Sequence, residues 1–119
     1  MNKIRILVVE PNKEPYQLKI EHTLKNLQQI VGGLIEFIEL EPNVDLICNE
    51  EGKIDGLELN RIVGNDIIAG TFFIAGQHQR ETISLSRKQI KKYKEIFKIN
   101  KDKDIIEYVN KLIRINNNF

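Results

Sequence analysis

The sequence predicts an α+β domain: a mostly antiparallel sheet of four or five strands, one long helix packed across it, and a helical C-terminal end. Three observations carry this. Short apolar runs rich in β-branched residues recur at 4–9, 44–48 and 67–75, bounded by turn residues. The strand-like runs 34–40 and 44–48 are joined only by Glu41-Pro42-Asn43, too short a link for a crossover, so they pair as an antiparallel hairpin. Helix-period stripes replace the strand pattern before Gly32-Gly33 and again after Ser86.

Residues 4–9 read as a buried strand that Glu10-Pro11-Asn12 ends, because proline donates no hydrogen bond to a ladder. Pro15 suits the first turn of a helix. Ile20, Leu24, Leu27 and Val31 then recur at intervals of four, three and four, which predicts a helix of about 15–18 residues stopped by Gly32-Gly33. In the second strand, 34–40, Glu36 and Glu39 place one face or edge in water, and 44–48 is the third strand. Asn49 to Lys53 reads as a turn with Gly52 at a positive φ, and 57–63 as a single helical turn. The run 67–75 is nearly uninterrupted and so central in the sheet, with Gly70 marking a bulge or a close approach. Gln77 to Arg80 is a hairpin loop before a short strand at 81–85.

Ser86, followed three residues later by Gln89, has the spacing of a capping box, and Ile90, Tyr93 and Phe97 form the apolar stripe of the helix it starts. A break follows at 100–104. Ile105, Ile106, Val109, Leu112 and Ile113 make a last helical stripe, and the tail 116–119 frays. This gives a domain over 1–100 and a C-terminal helical extension, 101–119, packed on it.

A chain of 119 residues, 41% hydrophobic and 29% charged, has the size and composition of one ordinary globular domain. No apolar run approaches the ~20 residues needed to span a membrane, and the N-terminus lacks the charged-then-apolar pattern of an export signal. A cytoplasmic location is the resulting expectation. The lone Cys48 agrees with it: it sits in an apolar run and has no partner for an internal disulfide, so core packing is its expected role. The formal net charge of +1 hides an asymmetry. Residues 1–60 carry 6 basic and 11 acidic side chains, a balance of −5, whereas 61–119 carry 12 and 6, a balance of +6. This division, together with open sheet edges, fits a homodimer that pairs acidic with basic surfaces.

Complete reaction chemistry is missing from the sequence. His22 and His78 have no cysteine partners at metal-ligand spacing, Ser84 and Ser86 stand in no Gly-x-Ser-x-Gly turn, and no phosphate-binding glycine loop occurs. No catalytic residue, metal ligand or cofactor is therefore assigned. Glu50 or Glu51 could serve as a general acid–base group only if partly buried. Polar residues instead gather around one loop. Asn49, Glu50, Lys53, Asn60, Arg61 and Thr71 supply the amide, carboxylate, cationic and hydroxyl groups that hold a phosphate, a base or a protein partner. A second candidate surface is the basic helix 87–98, with Arg87, Lys88, Lys91, Lys92, Lys94 and Lys98 offering salt-sensitive attraction to nucleic acid.

The order Val8-Val9-Glu10-Pro11, Val31-Gly32-Gly33 with Ile35-Glu36, Asn49-Glu50-Glu51-Gly52-Lys53, Asn60-Arg61 and Asp66-Ile67-Ile68-Ala69-Gly70-Thr71-Phe72-Phe73-Ile74 resembles a small domain-of-unknown-function family. Its members are encoded by Firmicutes, their phages and conjugative elements, some beside antirestriction-type domains. The resemblance spans about residues 4–97 and leaves out the last helix. It implies an accessory protein of a phage or mobile element that binds a host defence or regulatory factor, or a nucleotide-like small molecule. It names no catalytic residue.

Overall fold

The computed structural model describes residues 2–99 and 103–117, so much of the expected break after Ile99 and the last residues of the tail lie outside the described residues. Strand β1 (Lys3–Val9) sends Ile4, Ile6 and Val8 to one face of the sheet and Leu7 and Val9 to the other, all buried. Both faces are covered from Ile6 onward, which is why residues 6–9 are apolar without alternation, while half-buried Arg5 interrupts the run before them. β2 (Tyr16–Glu21) pairs antiparallel along β1, from Lys3 opposite Glu21 to Val8 opposite Tyr16.

That strand occupies about the first third of the expected long helix. The interval of four from Ile20 to Leu24 crosses an element boundary. Leu18 and Ile20 instead alternate as strand residues and pack under the sheet, and the free edge of β1 supplies their backbone partners. The helix, α1 (Leu24–Val31), starts only at Thr23, whose Oγ1 accepts from the Asn26 N–H at 3.2 Å, and Gly32 ends it at φ 79°.

β3 (Ile35–Glu41) and β4 (Val44–Asn49) form the expected antiparallel hairpin. A second hairpin, β5 (Leu59–Val63) and β6 (Asp66–Ala69), stands outside the main sheet, so the segment read as a helical turn is a strand. β7 (Phe72–His78) and β8 (Glu81–Ile83) complete the antiparallel six-stranded sheet. Its path is β2-β1-β7-β4-β3, with β8 joined to β7. The run expected as one central strand is thus two. At Gly70, φ 82°, the chain leaves the small hairpin and enters the sheet; a Cβ there would lie 2.7 Å from Leu57 Cδ1.

The sheet is clad on both faces. α1 covers Ile4, Ile6, Val8, Ile47, Phe73 and Ala75 with Leu27 and Val31. α2 (Arg87–Ile96) lays Ile90, Tyr93 and the C-cap Phe97 on the opposite face, against Leu7, Leu46, Phe72 and Ile74. The helix expected before Gly32 is thus shorter than its spacing suggests, and the helix expected after Ser86 covers the other face. The capping box at Ser86 and Gln89 is present with both hydrogen bonds, at 3.1 and 2.8 Å.

α3 (Lys103–Asn117) docks on the small hairpin through a separate cluster of Leu59, Ala69 and Ile106. Of its expected stripe only Ile106 is buried; Ile105, Leu112 and Ile113 are exposed. Buried Asn110 holds the backbone of Leu59 with both ends of its amide, accepting from the N–H at 3.1 Å and donating to the carbonyl at 3.4 Å. Asn110→Ala should therefore loosen α3 by about 1–2 kcal/mol, read as faster amide exchange in α3 with the sheet unchanged. Equal protection of α3 in the two proteins would contradict this anchor. Among the described residues no helix is long and apolar enough to cross a membrane.

Candidate ligand-binding cleft

The six polar residues singled out in the sequence divide into two sets. Asn49, Asn60 and Arg61 are buried, and their side chains hold the chain's own backbone. Asn49 Nδ2 donates to the Val31 carbonyl at 3.2 Å while its Oδ1 accepts from the Glu51 N–H at 2.8 Å, tying the end of α1 to the loop after β4. A Cβ on Gly33 would lie 2.8 Å from that amide, so the glycine beside the helix end makes room for it. Asn60 Nδ2 donates to the carbonyls of Val9 and Gly70 at 2.8 and 2.9 Å, fixing the point where the chain changes sheets.

Arg61 serves three segments at once. Its Nε donates to the Phe97 carbonyl at 2.9 Å, Nη2 to the Lys13 carbonyl at 2.7 Å, and Nη1 to Asn60 Oδ1 at 2.8 Å. Phe97 is the C-cap of α2, so the guanidinium satisfies an orphan carbonyl there and neutralises the negative end of the helix dipole.

Glu50 and Lys53 are exposed on the loop 50–58, and Thr71 is half-buried just past the Gly70 switch. Gly52 is not at a positive φ, as the turn reading expected; that conformation falls to Gly56, at φ 73°. Gly52 is buried against the backbone of Ala69, where a Cβ would come within 2.8 Å of the carbonyl oxygen, so close approach explains it. The loop is thereby pressed on β6 and separates two recesses.

The smaller recess, about 270 Å³, takes in Asn49, Glu50 and Lys53 with Glu36, Cys48 and Asp66, and carries four carboxylates including Glu51. Cys48 at its floor is core, as expected. Burial, and then the neighbouring Glu36 carboxylate, push its thiol up to about 11 from the ordinary 9.0. At pH 8 the thiolate fraction is then roughly a hundredfold below that of a free cysteine, and alkylation by iodoacetamide should be slower by at least that factor. A native reaction rate matching free cysteine would contradict the buried placement.

The larger recess is a cleft of about 660 Å³ between the loop 50–58, the β5–β6 hairpin and α3. Leu57, Leu59, Ile67 and Ile113 give it an aliphatic wall, while Lys53, Asn65 and Arg114 bring donors to it. The Lys53 ammonium pairs with the Asp66 carboxylate, which also accepts from the Ile67 N–H at 2.8 Å. The Lys53 contact first, and that N–H second, hold the exposed Asp66 below the usual carboxylate range. Glu58 accepts from Asn12 Nδ2 at 3.0 Å. Arg114 makes no ion pair among the described residues, leaving its planar fork available to a phosphate or carboxylate.

Lys53 is the one member of the sequence-derived set that lines this cleft; Asn60, Arg61 and Thr71 do not. Sequence reasoning missed Asn65, Asn110, Ile113 and Arg114. Asn110 had a signal, since an amide amid the apolar residues of a helix asks for a buried partner. Arg114 had none, because only the docking of α3 carries it to Lys53.

Residues 4–98 match the model of a family described as "Domain of unknown function (DUF3846)". The loop 50–58 and the β5–β6 hairpin lie within the matched segment, and α3, the cleft's third wall, lies beyond it. No curated protein and no solved structure matches the chain. Matched over most of its length, the chain belongs to the DUF3846 family, a domain of unknown function.

Proposed function

We propose that the chain is a non-enzymatic binding protein that holds a small, nucleotide-like anion in the cleft between the loop 50–58, the β5–β6 hairpin and α3. The observation that carries this is the cleft itself. Its volume of about 660 Å³ falls inside the range of small-molecule sites, and an aliphatic wall stands beside a few donors. Arg114 and Lys53 suit a phosphate group, which would compete with Asp66 for Lys53, and the Asn65 amide suits the edge of a base or sugar. The resemblance to proteins of phages and mobile elements supports a setting in which such binding interferes with a host defence or regulatory pathway.

Isothermal titration with nucleosides and with nucleoside mono-, di- and triphosphates tests the reading. The phosphorylated probes should bind and the bare nucleosides bind at least tenfold more weakly, with Arg114→Ala removing about 1.5–3 kcal/mol of the phosphate contribution. Absence of heat with every probe at millimolar concentration, or an Arg114→Ala protein that binds as wild type does, would contradict it.

A second reading, docking of a host protein on the same loop, has one specific support. Ile54 at the loop surface is 84% exposed, the kind of apolar side chain that anchors a protein interface.

A further inference from the structure

We infer that the cationic stripe along α2 is a docking surface for the phosphate backbone of duplex nucleic acid, separate from the cleft. At 3.6 residues per turn, Arg87, Lys91 and Lys94 fall on one side of the helix, with Lys88 flanking them. All four are exposed, and none makes an ion pair among the described residues. The other two cations of the helix region are already engaged. Lys92 Nζ lies 2.7 Å from Glu41 Oε2, where Tyr93 also donates, and Lys98 Nζ lies 2.9 Å from Glu95 Oε1.

The helix that carries the stripe is anchored at both ends, so the four cations project from a fixed backbone. The capping box fixes the first turn of α2, and Arg5 Nη1 donates to the Leu85 carbonyl just before it at 3.2 Å. Tyr93 and Phe97 clamp the helix to the sheet, and Arg61 holds the carbonyl of its C-cap. From Arg87 to Lys94 the helix rises about 10 Å, long enough for the four cations to meet two or three phosphates along a duplex strand.

The same placement excludes reading of bases by these aromatics. Tyr93 and Phe97, the rings on which unpaired bases could stack, are buried in the core, Phe97 edge-on to Phe72 at 5.4 Å. Binding through the stripe is therefore insensitive to sequence and steeply dependent on salt.

Fluorescence anisotropy of the full chain with labelled 20-base-pair DNA duplexes of two unrelated sequences tests this, read across a sodium chloride series. The expected results are affinities equal within about twofold for the two duplexes and a slope of log K against log salt of about −2 to −3. Lys91→Glu/Lys94→Glu should weaken binding by at least tenfold, whereas Lys19→Glu on exposed β2 and Arg114→Ala in the cleft should leave it within about twofold. Thermal melting confirms that the charge-reversed protein is folded; should it melt early, Lys91→Gln/Lys94→Gln replaces it and should still weaken binding several-fold. No binding at the lowest salt, a slope near zero, or full binding by the charge-altered proteins would overturn the inference. Loss of nucleotide binding in the cleft leaves these outcomes unaffected, so the two readings fail independently.

Discussion

Phe72→Ala is expected to lower the unfolding free energy by about 4 kcal/mol, a large part of the roughly 5–15 kcal/mol available to a domain of this size. Phe72 is fully buried in β7 at the Gly70 switch, with Val9 opposite it on β1 and the Phe97 ring against it at 75°. The loss has two sources: the cavity left between the sheet and α2, and the edge-to-face contact with Phe97. Phe72→Leu should cost no more than about 1.5 kcal/mol, since most of the volume is restored. Urea unfolding checks both values. A loss below 1 kcal/mol for the alanine variant would mean that α2 does not close on the sheet as described.

Arg61→Ala is expected to cost about 3 kcal/mol. Hydrogen bonds from a charged donor contribute about 1.5–3 kcal/mol each, offset by the cost of burying the charge. Removing the side chain strands the Phe97 and Lys13 carbonyls and Asn60 Oδ1 together. Arg61→Lys should lose about 2 kcal/mol, because a compact ammonium cannot span three acceptors set apart as a fork. Since Phe72 touches the ring of Phe97 and Arg61 its carbonyl, the double variant should depart from additivity by at least 0.5 kcal/mol. A fully stable Arg61→Ala protein with impaired ligand binding would return Arg61 to the binding surface.

The strands at 4–9, 34–40 and 44–48, the stop at Gly32 and the capping box at Ser86 were legible because each depends on neighbours in sequence. β2 was not legible. Its strand character comes from the edge of β1, and the spacing from Ile20 to Leu24 imitates a helix only by chance. The switch at Gly70 was visible as an anomalous glycine, but the change of sheet it serves depends on Leu57 and Asn60 arriving from elsewhere. The same limit governs the site. Asn49, Asn60 and Arg61 carry the side chains that ligand sites use, and also those that hold buried carbonyls; burial, a property of the whole fold, decides between the two. Much of the motif that carries the family resemblance is therefore framework: Gly33 admits Asn49, and Gly70 is held by Asn60. The proposed working surface lies on the flank of that motif, in the cleft that Lys53 and Arg114 both line.

The most direct test of this placement is the set of backbone amide shifts of the full chain during titration with a nucleoside triphosphate. The largest changes are expected at 56–59, 65–67 and 110–114, the three walls of the cleft, while the amides of Asn49, Asn60 and Arg61 move little. Changes centred on those three buried residues, or confined to α2, would contradict the cleft as the working surface.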